Sequence, residues 1–190
     1  MKPEEKIYHA YFESKMPELY FNQIKEATKL SDSSLTNSLK KLVENNILSV
    51  NKTRSNTFYK IKDTKIVALH FSQIAIIKFK DLNIGVRIPL QNFLKKISDD
   101  IFTIILFGSA STKEETENSD IDILLVSDSK IKYDAIKKEV DAVSNYPLNI
   151  FACTIKQFKE NKDHIIVQAR ETGFPIKGEQ NYYGVILDGS

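Results

Sequence analysis

Apolar positions follow helical spacing through the first third of the chain and strand spacing through much of the last half. Ile7, Tyr8, Tyr11 and Phe12 mark one face of a helix that stops near Met16-Pro17. Phe21, Ile24, Ala27 and Leu30 repeat the spacing in a second helix. Ser31-Asp32-Ser33 then supplies capping side chains for a third, whose inward face is Leu35, Leu39, Leu42 and Val43. Ile47 to Val50 predicts a short strand, Asn51 to Asn56 a polar turn, and Thr57 to Ile61 the returning strand of a hairpin.

Beyond the hairpin the pattern changes. Ile66 to Phe79 is apolar enough for a helix packed between domains or along a homodimer seam. Lys80-Asp81-Leu82-Asn83 and Gly85 interrupt it, and Pro89 is expected to open a further helix through Ile97. Strands are expected at Phe102–Phe107, from Asp120 onward, at Pro147–Cys153 and at 174–178. Between them fall a helix over Ile131–Val143, with Ile136, Val140 and Val143 inward, one capped by Thr154, and one from Asp163 to Thr172 stopped by Gly173. The expected class is α+β, in three parts: residues 1–63, a linker or packing helix over 64–85, and a small mixed-sheet domain over 86–190.

Composition narrows the classes. No apolar run reaches membrane-spanning length and the first residues lack a hydrophobic segment, so a cytoplasmic protein without membrane attachment is expected. Cys153 stands alone, which excludes an internal disulfide and a cysteine zinc cluster, while His9, His70 and His164 lack ligand spacing. Charge is unevenly spread: residues 1–65 hold 12 Lys/Arg against 8 Asp/Glu, and residues 101–190 hold 10 against 14. Two modules with different partners would produce that split.

The chemistry concentrates in residues 107–126. An apolar strand runs into Gly108-Ser109, and after a polar stretch a second apolar strand opens on Asp120-Ile121-Asp122. Side chains alternate along a strand, so the two carboxylates project from one face and repel unless a cation lies between them. Mg²⁺ suits such oxygen ligands and completes its shell with substrate phosphates. Gly108 permits a tight turn, and Ser109 is expected at the mouth of a helix, where free N–H groups favour phosphate. The combination points to nucleotidyl transfer.

Gly108-Ser109 followed by Ser119-Asp120-Ile121-Asp122 resembles the signature of the polymerase-beta-type nucleotidyltransferase superfamily, in particular its minimal prokaryotic branch. The resemblance implies that Asp120 and Asp122 hold Mg²⁺ or Mn²⁺ against an NTP, with ATP expected, and that Gly108, Ser109 and Ser119 line the nucleotide; Lys113 departs from the family's Arg and is either its stand-in near the phosphates or a surface lysine beside Glu114 and Glu115. It also implies a third acid on a neighbouring strand, and the matching residue here is Asn149, which carries no charge and cannot act as a base. Asp128 and Asp141 are the nearest substitutes in sequence, and neither is favoured. Two functions stay open: transfer of a nucleoside monophosphate to a protein or nucleic-acid hydroxyl, or a weakened site in a nucleotide-sensing regulator or antitoxin-like protein with a toxin-like partner.

The N-terminal order of helices and hairpin is that of a winged helix-turn-helix, and Ile24–Ile47 is similar to the DNA-binding domains of prokaryotic transcription regulators. That likeness implies that Ser34, Thr36, Asn37, Lys40 and Lys41 face the major groove of double-stranded DNA, with Lys52 and Arg54 on the wing. The same residue types on an outer helix face also make ordinary solvated surface.

Overall fold

The computed structural model describes residues 1–117 and 119–188. They fall into two compact units, Met1–Ile74 with the C-terminal residues from Tyr183, and Ala75–Tyr182. The chain is α+β, as expected.

The first unit opens with α1 (Pro3–Ser14), β1 (Glu18–Tyr20), α2 (Phe21–Thr28) and α3 (Asp32–Glu44). The strands β2 (Leu48–Lys52) and β3 (Thr57–Ile61) follow, then α4 (Thr64–Lys80), whose residues from Ala75 belong to the second unit. Pro3 begins α1, where its missing N–H costs nothing, and Lys15 closes it in the left-handed region. Ser31 caps α3 by accepting the Ser34 N–H. Leu35, Leu39 and Leu42 are buried beneath α3, while Val43 is only partly covered. Ala27, expected inward, is exposed, because α2 ends at Thr28 and its inner face is Ile24 and Thr28, four residues apart.

Sequence periodicity gave no hint of β1. It forms by pairing antiparallel with β3, so that the small sheet runs β1-β3-β2. The Tyr11 hydroxyl donates to the Tyr59 carbonyl at 2.7 Å, tying α1 to the hairpin. Phe12 meets Phe71 edge to face at 5.5 Å, and Phe71 meets Tyr183 at 5.4 Å. These rings fill the centre of the first unit and favour the offset geometry of their quadrupoles.

The second unit contains α5 (Ile84–Lys96), β4 (Thr103–Phe107), α6 (Ser109–Thr112), β5 (Ile121–Val126) and α7 (Asp134–Asp141). It continues through β6 (Leu148–Cys153), α8 (Ile155–Glu160), α9 (His164–Thr172) and β7 (Phe174–Lys177) to α10 (Glu179–Asp188), part of which belongs to the first unit. Its mixed sheet has the order β6-β5-β4-β7, with β5 and β6 parallel and the other pairs antiparallel. Ile104, Ile105, Leu106, Ile123 and Val126 are fully buried, which is why β4 and β5 read as continuous apolar runs.

Several helix limits differ from the sequence expectation, and α7, expected from Ile131, begins only at Asp134. Pro89 does not open α5; the helix starts at Ile84 and Pro89 lies inside it, lacking the N–H that would close onto Gly85. Gly85 therefore sits in the helix instead of breaking it, and a Cβ there would come within 3.0 Å of the Tyr146 ring. Toward the other end, α7 stops at Asp141, so Val143 falls in the following turn and is 80% exposed instead of inward. The helix at α10 was not anticipated either.

Candidate nucleotide site

The site forms where β4 ends and β5 begins. Phe107 pairs with Asp122 across the antiparallel ladder, and Asp122 pairs with Asn149 across the parallel one. Asp122 thus lies between the Gly108 turn on one side and Asn149 on the other. Gly108 has φ 69°, and a Cβ on it would meet Asp122 Oδ2 at 2.7 Å. The backbone conformation calls for glycine, and a Cβ would also oblige the Asp122 carboxylate to shift.

The turn is braced from below. Ser111 is buried; its hydroxyl donates to the Gly108 carbonyl at 2.7 Å and lies 3.2 Å from the Thr172 carbonyl. Sequence reasoning overlooked Ser111; its signal was a small hydroxyl residue three places after a turn glycine. Ser109 begins α6, a single turn instead of the full helix expected, and Lys113 ends it in the left-handed region, exposed. Ser119 is occupied in the loop itself: its hydroxyl accepts the Thr116 N–H at 2.9 Å, which leads the chain into Asp120. Glu115 fastens the same loop by accepting from the Asn83 amide.

The electrostatics of the acids are unequal. Asp120 is exposed, just before β5. Asp122 is half-buried, and desolvation pushes its carboxyl above the ordinary aspartate value; Asn149 opposes that shift and Asp120 adds to it. The Asn149 amide donates to Asp122 Oδ1 at 2.8 Å, so an uncharged donor stands where the resemblance implies a third acid. The two alternative carboxylates are engaged elsewhere. Asp128 accepts the Ile155 N–H, and Asp141 accepts the Leu148 N–H while paired with Lys137.

The structure therefore brings together Gly108, Ser109, Asp120, Asp122 and Asn149. Among the described residues no cluster of three or more His, Cys, Asp or Glu is placed to hold a metal ion. Two carboxylates beside the Gly108 turn are oxygen donors of the kind a hard divalent cation takes; a site built on three acids is not present among the described residues.

The other candidates lie in the first unit. Thr36, Asn37, Lys40 and Lys41 are exposed on α3 and Ser34 is partly covered. Lys40 reaches Glu44 at 3.7 Å, and Lys41 reaches Glu4 of α1 at 3.4 Å. Lys52 ends β2, and Arg54 lies on the hairpin turn, which Thr53 and Asn56 close.

The mixed sheet of the second unit is consistent with a nucleotidyltransferase fold. The family described as Nucleotidyltransferase domain matches residues 90–172, a span that includes Gly108, both acids and Asn149. That match supports a nucleotidyltransferase domain in this part of the chain and, with it, a general role in nucleotidyl transfer. Neither the curated proteins nor the solved structures yield a match. Among the described residues no helix is long and apolar enough to cross a membrane.

Proposed function

We propose that the second unit binds an NTP with Mg²⁺ or Mn²⁺ and transfers its nucleoside monophosphate to a hydroxyl of a protein or nucleic acid. The observation that carries this reading is the placement of Asp122 against Gly108, with Asp120 beside it. Asp120 and Asp122 would hold the cation, and the turn at Gly108-Ser109 would receive the outer phosphates. A bound cation supplies charge neutralisation for the triphosphate. In the transfer the acceptor oxygen bonds to the α-phosphorus, the bond to pyrophosphate breaks, and the hydroxyl proton passes to water, because Asn149 cannot take it. Phosphoryl-type transfers rest mainly on positioning and charge stabilisation, so loss of a base slows the step without forbidding it.

The 2.8 Å bond from Asn149 to Asp122 favours a second reading, a regulator that senses nucleotide without turnover. In either case we propose that the first unit is a winged helix-turn-helix that contacts double-stranded DNA. The order of α1, β1, α2, α3 and the β2–β3 hairpin supports this, as do exposed Thr36, Asn37, Lys40 and Arg54.

Incubating the protein with α-labelled NTP, Mg²⁺ or Mn²⁺ and a cell extract separates the two. Label transferred to an acceptor establishes the enzyme. Metal-dependent retention without transfer selects the sensor, and absence of both removes the site.

A further inference from the structure

The four-stranded sheet has two edges, and they are protected very differently. At one edge β7 is four residues long, contains Pro175 and shifts register against β4; it ends at Lys177, which pairs with Asp99. Proline, a bulge and charge are the usual means of blunting an edge. At the other edge β6 reads Leu-Asn-Ile-Phe-Ala-Cys, with no charge and no proline. The turn that leads into it carries Val143, 80% exposed.

The backbone groups of β6 can be assigned to its two sides. Its ladder with β5 is parallel, bounded by bonds from Ile121 N–H to the Pro147 carbonyl and from Ser127 N–H to the Cys153 carbonyl. Alternate residues bond across such a ladder, so Asn149, Phe151 and Cys153 serve β5, while Leu148, Ile150 and Ala152 turn their N–H and C=O outward. Asp141 takes the Leu148 N–H at 2.8 Å. No bond from Ile150 or Ala152 to a further element is seen among the described residues. The half-buried Ile150 and exposed Ala152 thus leave an open row of donors and acceptors.

We propose that this edge pairs with the same edge of a second copy of the chain, antiparallel about a two-fold axis through Phe151, giving one eight-stranded sheet. That alignment sets each Ile150 opposite Ala152 of the other copy and exchanges four backbone hydrogen bonds. An axis through Ile150 would instead oppose Ala152 to Leu148, whose N–H is already committed to Asp141. With the axis at Phe151, the two Phe151 side chains form the close, non-hydrogen-bonded pair at the centre, where an aromatic pair is favourable. Residues 148–153 carry no charge, so no like charges oppose across the seam. A second copy is therefore the natural complement of this strand. Asn149 and Phe151 share a face, so both nucleotide sites open on the same side of the joined sheet.

The test is sedimentation of the full chain, without nucleotide, over a wide concentration range, with hydrogen exchange on the same samples. The expected result is a reversible monomer–dimer equilibrium in which the Ile150 and Ala152 amides become protected as the dimer fills. Ala152→Pro removes one outward N–H and no bond to β5, and is expected to raise the dimer dissociation constant by at least about tenfold. Ala152→Lys does the same by placing a charge on each edge, and a melting curve confirms that the variants are folded. A chain monomeric at every concentration overturns the proposal. So does a dimer equally tight in a folded variant, or one with no added protection at Ile150 and Ala152. None of these readouts depends on nucleotide transfer, so the interface and the site can fail separately.

Discussion

The two units spend their polar side chains in opposite ways. In the second, three polar side chains around Asp122 are held by neighbours: Asn149 by Asp122, Ser111 by the Gly108 carbonyl, Ser119 by the Thr116 N–H. In the first, Thr36 and Asn37 of α3 and Lys52 and Arg54 of the hairpin stand in solvent, and Lys40 and Lys41 reach only Glu44 and Glu4. Exposed pairs of that kind contribute little and are released readily. The contrast is between a preorganised site, where one atom out of place is costly, and a solvated surface, where contacts add in small increments.

The largest effect is expected from removing both charges that would hold the cation. Asp120→Asn with Asp122→Asn should abolish Mg²⁺-dependent NTP binding in calorimetric titration. An affinity equal to the parent's would put the nucleotide elsewhere. Next comes Asn149→Asp, which returns a potential base beside Asp122. If transfer is limited by the missing proton acceptor, labelled-product formation should rise by about 10²- to 10⁴-fold, the usual worth of general base catalysis. A variant as inert as its parent would mean that more than this residue separates the site from turnover.

Gly108→Ala asks how rigid the preorganisation is. The methyl group would meet Asp122 Oδ2 at 2.7 Å in a backbone with φ 69°. Strain of this kind costs about 1–3 kcal/mol, so thermal unfolding should shift down by several degrees and NTP binding should weaken with it. An unchanged melting curve would show that the turn can relax, and the comparison between the units would lose its sharpest feature.

Much of this was legible in the chain because it is local. The capping Ser31, the apolar runs of β4 and β5, and the Thr154 cap of α8 are each written within a few residues. What stayed hidden depends on distant partners. The three residues of β1 are a strand only because β3 lies beside them, and the face α2 buries is that of Ile24 and Thr28, which leaves Ala27 exposed. Pro89 inside α5 breaks a local rule that tertiary packing overrides, since both Pro89 and Leu90 are buried. At the site, spacing brought out Asp120, Asp122 and Gly108. It gave no sign that Ser119 is used in its own loop or that Ser111 holds the turn, since both follow from hydrogen bonds visible only in three dimensions.

The smallest effects should come from the first unit. If the hairpin lies along a DNA backbone, Arg54 on its turn and Lys52 at the end of β2 each neutralise about one phosphate. Binding then releases counterions, and the logarithm of affinity falls linearly with the logarithm of salt. Arg54→Gln or Lys52→Gln should each reduce that slope by about one, weakening all DNA sequences equally. Asn37→Ala differs in kind, because an amide on α3 that reaches a base edge would alter sequence preference and leave the slope alone. Parallel titrations over several salt concentrations distinguish these outcomes. Slopes equal to the parent's in both charge variants, with sequence preference unchanged in Asn37→Ala, would assign these residues to ordinary solvated surface, leaving the second unit as the part of the chain where single side chains decide function.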